Sequence, residues 1–233
     1  MTFLEGCTVC GSELVYTSEH ETKVCFICRN KAISNVDCPK GHFICDSCHS
    51  SDANSLIEQF CVHTNLTDPI KIANLLMRQP QIKMHGPEHH FLVPAVLLAS
   101  YYNFSGEDEL KVRKIRSAKL RAEKVPGGFC GTHGHCGAAV GTGIVVSLIT
   151  GATPLSEKEW QLSNRITGQT LLEIADKGGP RCCKRDSFIA IEKAAGFIRK
   201  HFSAELPLSP AVCEFSKRNQ QCLHGGCSFY KEQ

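Results

Sequence analysis

Four chelating pairs crowd the start of the chain: Cys7-x2-Cys10, Cys25-x2-Cys28, Cys38-x3-His42 and Cys45-x2-Cys48. Two soft donors on so short a turn reach one ion, and four of them close a tetrahedral zinc site. The pairs therefore suit two zinc ions, taken consecutively or interleaved as a cross-brace, and spacing alone allows both. A site closed by four protein ligands keeps no open position, so a structural role is expected for it. His49, Cys61 and His63 lie close by and are as well explained as ordinary residues as they are as spare ligands.

Three further segments concentrate reactive side chains. In His85-Gly86-Pro87-Glu88-His89-His90, imidazoles and a carboxylate stand where a helix should begin, offering proton-transfer groups or ligands. In Gly128–Gly137, Cys130, His133, His135 and Cys136 are interleaved with glycines that let backbone come close to a bulky group. The adjacent Cys182 and Cys183 follow a Gly-Gly-Pro break, and Cys213, Cys222 and Cys227 occupy the tail. Neighbouring cysteines seldom bind one ion together, so Cys182 is read as a ligand and Cys183 as a reactive thiol. Cys130, Cys136, Cys182, Cys213, Cys222 and Cys227 then supply enough soft donors for a [4Fe–4S] cluster or another metal centre. Glu88, His89 and His133 are the candidates for moving protons. A phosphate loop is disfavoured, since no Lys-Ser/Thr follows the glycines.

Composition narrows the context. The chain has 233 residues, 15 of them cysteine, and a formal net charge of +3. The first residues carry no basic stretch followed by an apolar one, so a reducing, cytoplasmic setting is expected, with metal ligation in place of disulfides. The odd cysteine count agrees. So small a net charge does not by itself imply nucleic acid. The uncharged stretch 125–156 is interrupted by Gly137, Gly141 and Gly143 and is too short a run of apolar residues to span a bilayer.

The elements that must position these groups are helical. Residues 1–65 read as a small zinc-ribbon or RING-like domain in which metal substitutes for a core, although the mixed Cys/His pair comes later than in a ubiquitin-ligase RING. Residues 66–233 read as an all-helical domain with a loop-like cysteine tail. Asp68 caps a helix that Pro69 opens and Pro80 stops. Further helices are predicted from Pro87, over Glu107–Lys124, over Cys136–Thr150, and from a Ser156/Glu159 capping box to the Gly178-Gly179-Pro180 break. Asp186 is expected to start the last. The fold class is thus mainly α. The basic helix over 107–124 could meet RNA, but its cations surround the helix without aromatics between them, which favours a solvated face.

The segment from Pro94 to Ile198 resembles the redox-associated family named for its C_GCAxxG_C_C motif, through Cys136-Gly137-Ala138-Ala139-Val140-Gly141 and a later cysteine before an Ala-rich helix. It departs from that family in having His89 and His90, and no cysteine, in the opening helix. Nearly the whole chain is similar to an uncharacterised cysteine-rich family of anaerobic microbes. That family joins a CxxCGxxL…CxxC…CxxGHxxCDxC head to an HGPEHHxxVP and CGxxGxCGAA body, and some members are labelled methyltransferases. No βαβ alternation and no strand leading into GxGxG supports the label here. The resemblance implies redox or sulfur-linked chemistry on a small-molecule or sulfur-containing substrate. A zinc adaptor that recognises a protein or RNA is the alternative.

Overall fold

The computed structural model describes residues 6–232, which form a two-stranded hairpin and a bundle of helices. In the head, β1 (Val15–Val24) pairs antiparallel with β2 (Lys31–Asp37), with an irregularity between Tyr16 and Glu21. The hairpin is largely solvent-facing, so it is held at its ends, where the metal-ligand knuckles sit, and not by a buried face. A short helix, α1 (Asp46–His49), carries Cys48, and α2 (Ala53–His63) leaves the head.

Leu56, Ile57, Phe60 and Cys61 of α2 are buried, and the helix packs on both α4 (Glu88–Ser105) and α5 (Asp108–Ala122). Cys25, Ile27, Cys28, Cys45 and Cys48 belong to the same continuous core as the body helices. The head is therefore seated on the bundle through one of its own ligand groups. Cys61 is wholly buried and packs as a small hydrophobe, while His63 is turned outward with Nδ1 2.8 Å from the Gln59 carbonyl.

α3 (Pro69–Met77) starts as the sequence predicts: the Asp68 carboxylate accepts from the Ile70 and Lys71 amides, and Pro69 needs no such partner. α4 is buried on nearly every side and forms the centre of the body. It meets α7 (Gly137–Thr150), which follows the single turn α6 (Phe129–Thr132), closely because α7 supplies glycines at the crossing. A Cβ on Gly137 would lie 2.1 Å from the His90 ring, and one on Gly141 would lie 2.8 Å from Cδ of Pro94. α8 (Lys158–Asp176) and α9 (Cys183–Phe202) complete the bundle against the other side of α7.

Two predicted helix starts are corrected. α8 begins at Lys158 with no side-chain cap, because the Ser156 hydroxyl is already engaged by the Thr153 amide at 3.0 Å. α9 begins at Cys183, three residues before the predicted Asp186, whose amide instead donates to the Cys182 carbonyl at 2.8 Å. That shift puts both cysteines at a helix N-terminus.

The basic helix α5 spends its charge locally. Lys111 is buried and donates to Thr64 O, Asn103 Oδ1 and Asp108 Oδ1. Arg116 and Lys119 both reach Glu58, Lys114 reaches the Leu148 carbonyl, and Arg121 the Ser147 hydroxyl. These contacts fasten α5 to α2 and α7, so most of its cations are structural. The tail after α9 has two short 3₁₀ turns and is tied back onto α3. Ser209 donates to the capping Asp68, and Arg78 meets Glu214 with two parallel contacts. No helix among the described residues is long and apolar enough to cross a membrane.

Candidate metal centres and the buried cysteine cluster

The head resolves the pairing that spacing leaves open. Cys7, Cys10, Cys38 and His42 form one group, and Cys25, Cys28, Cys45 and Cys48 the other, each with its ligand atoms within 4.8 Å of one another. The first pair thus joins the third and the second joins the fourth, which is a cross-brace. Contacts across the pairs carry it: Cys10 Sγ to Cys38 Sγ at 3.6 Å, and Cys28 Sγ to Cys45 Sγ at 3.8 Å. The knuckles turn through left-handed residues, Gly11 after the first pair, Arg29 after the second and Gly41 within the third, just before His42. Their amides return to the carbonyls of Cys7, Cys38 and Cys25. Each group could hold a metal ion.

Protonation in these groups is uneven. Burial raises the Cys7 thiol to about 11. For Cys10, burial pushes upward too, but hydrogen bonds from Ser12 and His42 outweigh it and bring the thiol down to about 6. Several thiols packed this closely cannot all ionise without a cation among them. A divalent ion removes that conflict and takes up the thiolates.

The body gathers the remaining cysteines around the start of α9, and divides them. Cys182, Cys213, Cys222 and Cys227 line one small cavity together with Met84, Arg185, Phe215 and Phe229. The tail is folded for this: the Cys213 amide donates to the Phe229 carbonyl at 2.7 Å, and Cys213 bridges to Tyr230. Three of the sulfurs accept N–H bonds: Cys213 from the Phe215 amide at 3.4 Å, Cys222 from the His224 amide at 3.3 Å, and Cys182 from Asn219 Nδ2 at 3.6 Å. The cavity is small, about 20 Å³. Its four thiols are spread more widely than the head groups, which alone among the described residues bring three or more donors within 4.8 Å.

Cys183 faces away from that cavity. Its neighbours in charge are Cys130 and Asp186, and the Gly86 backbone hydrogen-bonds to it. Cys136, at the start of α7, is pushed up to about 11 by burial, then by Asp186 and Cys183, against the Ala138 and Ala139 amides. Cys182 is likewise raised to about 11 by burial. The six cysteines predicted as one ligand set are therefore four around the cavity and two, Cys130 and Cys136, beside Cys183.

His89 is wholly buried, its Nδ1 donating to the Gly86 carbonyl at 3.0 Å and its Nε2 lacking any partner. Burial, followed by the Lys184 charge, holds its pKa well below the usual histidine range. Glu88 is buried beside it, accepts the Lys83 amide at 3.0 Å, and folds over Gly86, where a Cβ would lie 2.1 Å from its Oε2. His133 is exposed, stacked on Phe129 with centroids 4.1 Å apart and bonded to the Thr132 hydroxyl. Its contacts are thus local to its own loop. His85 joins the cavity network instead, through Asn219 at 3.1 Å.

Sequence reasoning missed the cations. Lys184 has no exposed surface and Arg185 is 5% exposed, both within α9's first turn. Burial lowers the Lys184 amine to about 7, with Arg218 adding to the effect. Their position just after Cys182-Cys183 was visible, but only the fold turns them inward. A larger open groove of about 770 Å³ runs between α8, α9 and the tail and shares the Phe229 wall with the cysteine cavity.

The family to which the chain belongs is one described as of unknown function, DUF5714, whose profile matches residues 57–230. The match takes in α3–α9 and the cysteine cavity and leaves the eight head ligands outside. No curated protein and no solved structure matches the chain.

Proposed function

We propose that this DUF5714 member is a metal-dependent redox or sulfur-handling enzyme, with a head braced by two zinc ions and a cysteine-ligated iron–sulfur cluster in its body. The carrying observation is that Cys182, Cys213, Cys222 and Cys227 line one cavity together. Four soft donors around one cavity, spread more widely than the head's ligand groups and with N–H groups directed at the sulfurs, suit a cluster, whose sulfurs are commonly hydrogen-bonded in this way. Bound there, a cluster would supply electron transfer.

The neighbouring thiols are the reacting groups in this reading. Cys183 follows the cavity ligand Cys182 directly, so its sulfur stands within a residue of the centre, with Cys136 and Cys130 nearby. These thiols would carry sulfur or exchange electrons with a sulfur-containing substrate. Burial keeps Cys136 and Cys183 protonated at neutral pH, so they need a base, and the candidates are His89, buried in its neutral form, and the neighbouring Glu88 carboxylate. The likeness of the Cys136–Gly141 turn to a redox-associated family points the same way.

The test is elemental and sulfide analysis of protein purified without oxygen, with a spectrum. Iron, sulfide and absorbance near 400 nm are expected in addition to two zinc ions. Cys213→Ser should abolish the absorbance, whereas Cys136→Ser should keep it and remove a reactive thiol. Protein with zinc alone would refute the cluster. A second reading, a zinc-braced adaptor for a protein partner, draws on the hairpin, where Val15, Tyr16 and Ile33 are more than half exposed. It is favoured if a Tyr16→Ser/Ile33→Ser protein loses a co-purifying partner while its metal content is unchanged.

A further inference from the structure

Five buried polar atoms near the start of α9 have no hydrogen-bond partner: Lys184 Nζ, Arg185 Nη1, Arg218 Nη1, His85 Nδ1 and His89 Nε2. Four of the five belong to side chains that interact with one another or with Cys182 and Cys183. The fifth, on His85, is linked through Asn219 to Cys182. An orphaned buried donor costs about 1–3 kcal/mol, and an unpaired buried charge more. The three cationic donors among them, Lys184 Nζ, Arg185 Nη1 and Arg218 Nη1, require an acceptor.

The protein itself supplies too little negative charge. Arg185 Nε is matched by Asp186 at 3.0 Å and Nη2 by the Pro180 carbonyl, but Nη1 is left over on a residue that lines the cysteine cavity. Lys184 Nζ has no carboxylate within 4.0 Å among the described residues and rests 4.9 Å above the Phe215 ring, another wall of that cavity. A desolvated cation–π contact recovers about 2 kcal/mol or somewhat more, short of the several kcal/mol that desolvating an ammonium costs. Asp186 pairs with Arg185 and Glu88 is the carboxylate that acts on Lys184, whose charge is opposed by Arg218.

We infer that the centre held by Cys182, Cys213, Cys222 and Cys227 carries net negative charge and that Lys184 and Arg185 are its buried counter-ions. Arg185 acts through the Nη1 at the cavity wall, and Lys184 from behind Phe215. The inference rests on the reading that this cavity holds a thiolate-ligated centre, but not on that centre being iron. Four thiolates give an anionic site with a divalent ion and with a four-iron core alike. It assigns the two residues a defined role, setting how tightly the centre is held and how readily it accepts an electron.

The experiment is Lys184→Met in the full-length, metal-loaded protein and in a Cys213→Ser background that lacks the centre. In the loaded protein the change should lower Tm by about 5 °C and speed loss of the centre to a chelator roughly tenfold, as expected for a partner that supports the ligands from outside. If the centre is redox-active, its midpoint should also move to more negative potential, because the reduced form has lost a cation. In Cys213→Ser the same change should leave Tm unchanged or raise it, since it then removes an unpaired buried group. Equal shifts of one sign in both backgrounds overturn the inference. If Cys213→Ser does not fold, an unaltered chelation rate for Lys184→Met overturns it. Metal analysis keeps the two failures apart. A cavity loaded with zinc alone refutes the redox reading and leaves the counter-ion result to be decided by Tm; a cavity that takes no metal refutes both.

Discussion

The crossing of α4 and α7 makes one chemical change act with opposite sign at different sites. Gly→Ala in a helix interior stabilises by about 1 kcal/mol when the new methyl meets nothing. At Gly141 it meets Pro94 Cδ at 2.8 Å, Val93 Cβ at 3.3 Å and the His90 carbonyl at 3.4 Å. The proline ring is rigid and buried, and the carbonyl is backbone, so none can step aside cheaply. Overpacking of this kind costs about 1–3 kcal/mol. Set against the propensity gain, Gly141→Ala should lose up to about 2 kcal/mol, and so up to about 4–8 °C in Tm. At Gly168 in α8 and Gly196 in α9 a Cβ meets nothing within 4 Å. There the same substitution should raise Tm by about 2–3 °C. Thermal unfolding followed by circular dichroism on the three variants is the assay. A rise in Tm for Gly141→Ala matching that of Gly168→Ala would refute the close approach of α4 and α7, and with it the positioning of Cys136 beside Cys183.

Three other outcomes follow from the same geometry. The cross-brace requires that Cys7→Ser with Cys38→Ser lose one zinc ion, both residues serving one site, while Cys7→Ser with Cys25→Ser loses two; consecutive pairing would reverse these counts in native mass spectrometry. Asp68→Ala removes the cap of α3 and the acceptor for Ser209, so it should cost about 2 kcal/mol in denaturant unfolding and loosen the tail toward protease; an effect below about 0.5 kcal/mol would contradict that double role. Buried neutral His89 has a depressed folded pKa, so the unfolded chain binds the extra proton below about 6.5 and stability falls as pH drops through that value, by up to about 1.4 kcal/mol per unit. His89→Gln should flatten that slope between pH 6.5 and 5, and an unchanged slope would show that the imidazole is not buried in its neutral form.

Much of the positioning was legible where a local rule suffices. Asp68-Pro69 marks a helix start because both the cap and the fixed proline φ act within a turn. The four head pairs announce metal because chelation by a knuckle is also local. The Ser156 cap failed for an equally local reason: a second acceptor geometry, toward Thr153, competes for the same hydroxyl. The start of α9 was misjudged because Asp186 is a good cap in isolation, whereas the packed turn leaves it inside the helix against Arg185.

A helical chain, paired soft donors in the head that could hold metal, and seven further cysteines in the second half are all legible in the amino-acid order. Periodicity, caps and short chelating turns are properties of a few neighbouring residues, so they survive without a fold. The tertiary structure alone decided which pairs share an ion, since that depends on a hairpin bringing residue 38 back to residue 7. It also separated Cys182 from Cys183, one turned to the tail cysteines and the other toward Cys136 and Cys130. Finally, it buried Lys184 and Arg185 beside the thiols. Burial converts two ordinary cations into groups that need an anion, and burial is set by packing across the whole molecule.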